Sequence, residues 1–283
     1  MAGGEGTRFY PLSTPDKPKQ FLNFIGERSF LRQTYDRILP LASPSDIFIS
    51  TNKRYAGLVS KQLPDVPPEN IIGEPFKKNT APALAYITAL IHKRYGDVAI
   101  GCFPSDHYIK DEKGFRECVK KGAQIATRGH IVTLGICPDS PSTDYGYILP
   151  EDISAEWSKV KRFAEKPDKE RALKYIREGY LWNAGMFIWK ASQALSEIGR
   201  FEPALYEPLS GIEEGENFIR DYFATARGIS IDYAVMERSD IVAVIPSDFG
   251  WSDVGTWESV ARLEKEGIAV SKEVANILKE KGL

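Results

Sequence analysis

Apolar residues in this 283-residue chain fall into short continuous runs separated by stretches of helical period. Five runs, 46–50, 97–103, 131–136, 184–189 and 241–245, read as buried strands. They are continuous rather than alternating, the pattern of strands covered on both faces, as in a parallel sheet. Helical patterns lie between them. Thr80-Ala81-Pro82 opens one, with a cap candidate and a proline in the first turn, and Leu84, Ile87 and Ile91 form its stripe. Residues 115–127 form a second, stopped near Gly129. The stretch 158–165 alternates polar and apolar positions and predicts a strand with one wet face. Residues 138–150 are rich in turn formers and predict an active-site loop or lid, and 207–215 is acidic and loop-like. A last helix follows Ser271, with Val274, Ile277 and Leu278 as its stripe and Gly282 as its stop. Strands alternating with helices predict an α/β fold with a mixed, mostly parallel central sheet.

Composition narrows the function. A net charge of -2 and a pI near 6.0 give no nucleic-acid footprint, so an anionic substrate needs locally clustered Lys and Arg. Cys102, Cys118 and Cys137 are odd in number and unpaired in spacing, which is no disulfide framework. His92, His107 and His130 give no zinc pattern. No apolar run suits a membrane span and no signal peptide precedes the first motif, so a cytoplasmic protein is expected. Met1-Ala2-Gly3-Gly4 leads straight into a glycine-rich loop, whereas such loops normally follow a buried strand. A short β-branched run upstream is expected to supply that strand in the natural chain.

Five constellations carry chemistry. In the first, Gly3-Gly4-Glu5-Gly6-Thr7-Arg8 precedes Pro18-Lys19-Gln20-Phe21. Glycines let backbone N–H groups approach a phosphate chain with no Cβ in the way. Arg8 can hold phosphate oxygens through two parallel hydrogen bonds, and Lys19 adds a compact charge. Neither a Walker A ending nor GxGxxG spacing is present. A tight turn with solvated Arg and Lys is the bland alternative, and Pro18-Lys19 at this distance argues against it. In the second, Ser105-Asp106-His107 directly follows a buried run, where a carboxylate beyond a strand's end can meet a metal. In the third, Asp253 lies on a glycine-bearing turn between Trp251 and Trp257. Mg²⁺ takes one or two carboxylates and completes its octahedron with phosphates and water, a role open to Asp106 and Asp253. A helix cap is the alternative for each. In the fourth, Glu165-Lys166-Pro167 could recognise a sugar hydroxyl and a sugar phosphate together, or form only a solvated ion pair. In the fifth, Asn183 and Asp232 are short polar groups in apolar stretches, suited to sugar hydroxyls or to core hydrogen bonds.

In this order the segments resemble the mannose-1-phosphate guanylyltransferases, within the wider nucleotidyltransferase family that makes nucleotide sugars. The resemblance runs from Gly3 to Trp257. The wider family shares GGxGTR, the aspartate after the central strand and EKP. The narrower likeness rests on Pro18-Lys19-Gln20-Phe21, Asn79-Thr80-Ala81-Pro82-Ala83, Trp182-Asn183-Ala184-Gly185-Met186-Phe187 and residues 230–237. It implies a Rossmann-like nucleotidyltransferase domain over 1–257, its mixed, mostly parallel sheet flanked by helices. The nucleotide half covers about 1–135 and the sugar-phosphate half about 136–257, with a short helical tail over 258–283. It implies formation of GDP-mannose and pyrophosphate from GTP and mannose 1-phosphate with Mg²⁺. Arg8 and Lys19 would be catalytic. Gly3, Gly4, Asn79, Thr80 and Ser105 would bind the nucleotide, and Gly146, Glu165, Lys166, Asn183 and Asp232 the sugar phosphate. Asp106 and Asp253 would hold the metal. Lys78 stands where an arginine often precedes NTAPA. Some longer relatives continue into an isomerase domain; here a short tail follows Trp257, and isomerase activity is not expected. A homodimer is compatible with the resemblance, and neither nucleic acid nor membrane is an expected partner. Two alternatives remain at this point: a pyrophosphorylase for another sugar or base, and a catalytically silent GDP-mannose-binding regulatory paralogue.

Overall fold

The computed structural model describes residues 1–4 and 7–283; Glu5 and Gly6 of the glycine-rich loop, and the side chain of Thr7, lie outside the described residues. In chain order the strands are β1 (Ile49–Asn52), β2 (Ile71–Glu74), β3 (Ala99–Cys102), β4 (Tyr108–Ile109), β5 (Ile131–Ile136), β6 (Tyr147–Pro150), β7 (Ser158–Ala164), β8 (Leu181–Lys190), β9 (Val242–Ser247) and β10 (Trp251–Ser252). Packing groups them into two units, 1–73 with 104–112 and 250–283, and 74–103 with 113–249.

In the first unit β1 pairs with β2, and β4 with β10. Helix Phe30–Ile38 starts where the Ser29 side chain accepts from Arg32 N–H. The predicted last helix is Lys272–Lys281, capped by Ser271 and ended by left-handed Gly282. It is no appendage: Val274 and Leu278 join Phe9, Phe24, Phe30, Val254 and Trp257 in one buried cluster. Met1-Ala2 lie beside β1 much as a strand would. Ala2 N–H donates to Ser50 O at 2.6 Å, and Met1 O accepts from Ser105 N–H at 3.0 Å.

The second unit is built on a six-stranded sheet of order β3-β8-β5-β9-β7-β6, with β6 returning to pair with the start of β8. The α/β class and the mixed sheet agree with the sequence, but strand direction needs correcting. Within this sheet, among the described residues, β5–β9 is the parallel pairing and the others are antiparallel. Continuous apolar runs report burial on both faces, whichever way the neighbours point. Helix Thr80–Tyr95 is buried throughout from Ala81 to Ile91, so it has no narrow stripe. The predicted lid at 138–150 is shorter than expected, because its last four residues form β6. Among the described residues no helix is long and apolar enough to cross a membrane.

Candidate functional site

In the first unit the glycine-rich segment, the Pro18-Lys19-Gln20-Phe21 turn, Ser105-Asp106 and Asp253 converge. Lys19 is buried at 4% exposure, far from the solvated loop lysine of the bland alternative. Its Nζ donates to the Asp253 carbonyl at 2.6 Å and pairs with Asp106 Oδ2 at 3.1 Å. Gln20, also buried, donates from Nε2 to Ala2 O and Gly4 O, both at 2.8 Å, and so ties the start of the glycine loop to the lysine turn. Ser105 is buried, with its N–H on Met1 O. Gly3 is partly buried, Gly4 exposed, and Arg8 exposed on the turn Thr7–Phe9.

Burial pushes the Asp106 carboxyl up, but the Lys19 charge, then His107, outweigh it and hold the group below its ordinary value. His107 is held down by burial, against the pull of Asp106 and Asp253. Its Nδ1 accepts from Trp251 Nε1–H at 3.1 Å. Neither aspartate is a helix cap: Thr256 caps the helix Trp257–Lys265, while Asp253 Oδ1 accepts from Gly255 N–H in a local turn. The next residue, Val254, is fully buried at φ +48°, a conformation a β-branched side chain adopts only when its surroundings compel it. A Cβ on Gly255 would sit 2.6 Å from Asp253 Oδ2, so glycine leaves that carboxylate its room.

These features suit a hard divalent cation. One buried ammonium meets the Asp106 carboxylate and the Asp253 backbone carbonyl, and His107 senses the charge of both aspartates. Among the described residues no group of three or more His, Cys, Asp or Glu could hold a metal. A cation here would therefore share its coordination with other oxygens, the habit of Mg²⁺ beside phosphates.

The second unit gathers the other candidates. Glu165 directly follows β7 with its side chain 6% exposed, and its Oε1 accepts from Lys166 Nζ at 2.7 Å. In the bend that follows β7, Lys166 takes φ +46° and its ammonium reaches its neighbour's carboxylate. Glu165 Oε2 is buried and has no hydrogen-bond partner among the described residues. A Cβ on Gly146 would collide with that oxygen and crowd Asn183 Cβ at 3.3 Å. Asn183 Nδ2 donates to Asp232 Oδ1 at 2.9 Å. Burial, then the negative charge of Glu165, push the Asp232 carboxyl up to about 7.

Asn79 and Thr80 belong to this same unit. Asn79 caps the helix Thr80–Tyr95 from φ +67°, and Thr80 Oγ1 accepts from Ile231 N–H at 2.9 Å. Asp232 thus follows directly on the segment that anchors Thr80. The sequence singled out no role for Gln20, Thr133 or Glu237. Glu237 accepts from Glu165 N–H at 2.7 Å and Thr133 donates to Asn183 Oδ1 at 3.0 Å. Only Thr133 left a signal, a lone hydroxyl in an apolar run.

The start of a glycine-rich segment, tied through Gln20 to a buried lysine that holds Asp106, on an α/β fold, is an arrangement that can receive an anionic group such as a phosphate. The chain belongs to the nucleotidyl transferase family, whose sequence profile matches residues 1–267. Among its relatives, the mannose-1-phosphate guanylyltransferase of Escherichia coli K12 is 40% identical over 278 residues, covering 92% of this chain and 58% of that protein. Xanthan biosynthesis protein XanB of Xanthomonas campestris pv. campestris is 40% identical over 94% of this chain and 59% of its own length. The chain thus spans less than two thirds of these curated relatives. A solved mannose-1-phosphate geranyltransferase from Thermus thermophilus superposes with a TM-score of 0.86 at 32% identity, over 93% of this chain and 77% of that one.

Proposed function

We propose that this chain forms GDP-mannose and pyrophosphate from GTP and mannose 1-phosphate, with Mg²⁺ as its metal, in the cytoplasm. Lys19 carries the proposal: a buried ammonium fixed between Asp106 and Asp253 and tied through Gln20 to the glycine loop. The substrate pair is drawn from the names of the relatives and from the motifs Pro18-Lys19-Gln20-Phe21 and Asn79-Thr80-Ala81-Pro82-Ala83.

An oxygen of the sugar phosphate attacks the α-phosphorus in line. The new O–P bond forms as the bond to the β-phosphate oxygen breaks, and pyrophosphate leaves with that electron pair. No general base is required, because a phosphate monoester has its second pKa near ~6 and is largely dianionic at neutral pH. The obstacle is repulsion between two anions. Lys19, Arg8 and Lys166 lower it by neutralising charge and fixing geometry. Held by Asp106 and Asp253, Mg²⁺ would add charge neutralisation on the phosphate oxygens. Gly3, Gly4, Asn79, Thr80 and Ser105 serve the nucleotide. Gly146, Glu165, Lys166, Asn183 and Asp232 serve the sugar phosphate, where Glu165 Oε2 offers an acceptor to a hydroxyl.

Incubation with GTP, mannose 1-phosphate and Mg²⁺ should release GDP-mannose and pyrophosphate in equal amounts, separable by anion exchange. Binding of GDP-mannose without any turnover would instead make the chain a silent regulatory paralogue.

A further inference from the structure

We propose that Thr133 is a positioning residue of the sugar pocket that holds the Asn183 side-chain amide in place, in the orientation that Gly185 N–H sets. The inference rests on the functional reading above and goes one layer beneath it. Thr133 lies in the middle of β5, in the apolar run Ile-Val-Thr-Leu-Gly-Ile, and is completely buried. A buried hydroxyl is costly unless it is bonded, and valine would serve packing alone. This hydroxyl donates to Asn183 Oδ1 at 3.0 Å. Gly185 N–H donates to the same oxygen at 3.1 Å.

The pairing of β5 with β8 makes this arrangement. Its register shifts between Thr133 and Gly135, and Gly135 lies opposite Asn183. Gly185 at φ +66° turns its N–H back onto the amide. With two donors on Oδ1, a flipped amide would point its own hydrogens at the Gly185 N–H, which cannot accept them. The nitrogen therefore faces Asp232, and Asn183 Nδ2 donates to Asp232 Oδ1 at 2.9 Å. Without Thr133 one of the two locks is gone. The amide would then be held through Oδ1 by Gly185 N–H alone and would swing more freely, loosening what the pocket offers a sugar hydroxyl. Glu165 and Lys166 border the same carboxylate and would be unchanged.

The test compares Thr133→Val and Thr133→Ser with the parent. Thr133→Val should raise KM for mannose 1-phosphate about fivefold, the effect of one buried hydrogen bond, with kcat and the KM for GTP within about twofold of the parent. Thr133→Ser should restore the parental KM. In ¹⁵N spectra the Asn183 side-chain amide should shift and exchange faster in Thr133→Val alone. A parental KM in Thr133→Val, an equal rise in both KM values, or failure of serine to rescue would overturn the inference. Should the parent prefer another sugar phosphate, the KM comparison is made on that sugar; should it turn over none, the functional reading fails and the amide spectrum alone decides for or against Thr133.

Discussion

Lys19 concentrates the chemistry in one side chain. It is buried, it holds the Asp106 carboxylate and it anchors the Asp253 backbone. We expect Lys19→Ala to lower kcat by roughly 10²- to 10³-fold, the range for losing one preorganised charge stabiliser. It should also lower Tm by several degrees, because it removes the Lys19 contacts with Asp106 and the part-buried Asp253 carbonyl, at about 1–3 kcal/mol. Parental turnover beside a lowered Tm would make Lys19 a packing residue only. Asp232 permits a second test. Burial and Glu165 raise its folded pKa to about 7 from the ordinary 3.8, so the folded state holds this proton more tightly than the unfolded chain does. Its contribution to stability is then full below about pH 3.8 and is lost as pH rises through about 7. The Tm of Asp232→Asn relative to the parent should therefore climb between pH 4 and pH 7 and level off above. A flat difference in thermal melts across that window would show that the carboxyl titrates normally.

Strands and turns decide where these side chains meet. Gly146 precedes β6, and Glu165 follows β7 beside it, so a methyl at 146 would strike Glu165 Oε2. Gly146→Ala should raise KM for the sugar phosphate about tenfold or more while the KM for GTP stays near parental, since a clash at this one pocket displaces the group that binds there. Steady-state kinetics with each substrate varied in turn would check this, and an unchanged KM would remove Glu165 from the pocket. Much of this layout was legible in the chain. The runs at 131–136 and 241–245 are β5 and β9, the wet-faced strand is β7, and Ser271 and Gly282 bound the last helix. Strand direction was not legible, because burial on both faces writes the same apolar run for parallel and antiparallel neighbours. Nor was the role of Gln20, whose amide answers to carbonyls 16 and 18 residues away. The proximity of Thr133 to Asn183 follows from a register shift that no local pattern announces.

The molecule as a whole carries a net charge of -2, yet the proposed substrates are polyanions. Positive charge is therefore local, as at Lys19, which meets the Asp106 carboxylate and the Asp253 carbonyl, and a divalent cation held by the two aspartates would add to it. Asp106→Asn and Asp253→Asn keep shape and remove charge, so each should raise the Mg²⁺ concentration for half-maximal activity and lower kcat together. Parental half-saturation in both would contradict the metal assignment. The most direct measurement is pyrophosphate release by the parent protein across a grid of nucleoside triphosphates and sugar 1-phosphates. GTP with mannose 1-phosphate should give the highest kcat/KM, each tenfold preference corresponding to about 1.4 kcal/mol of differential transition-state binding. A clear preference for thymidine or uridine triphosphate, or for glucose 1-phosphate, would contradict it.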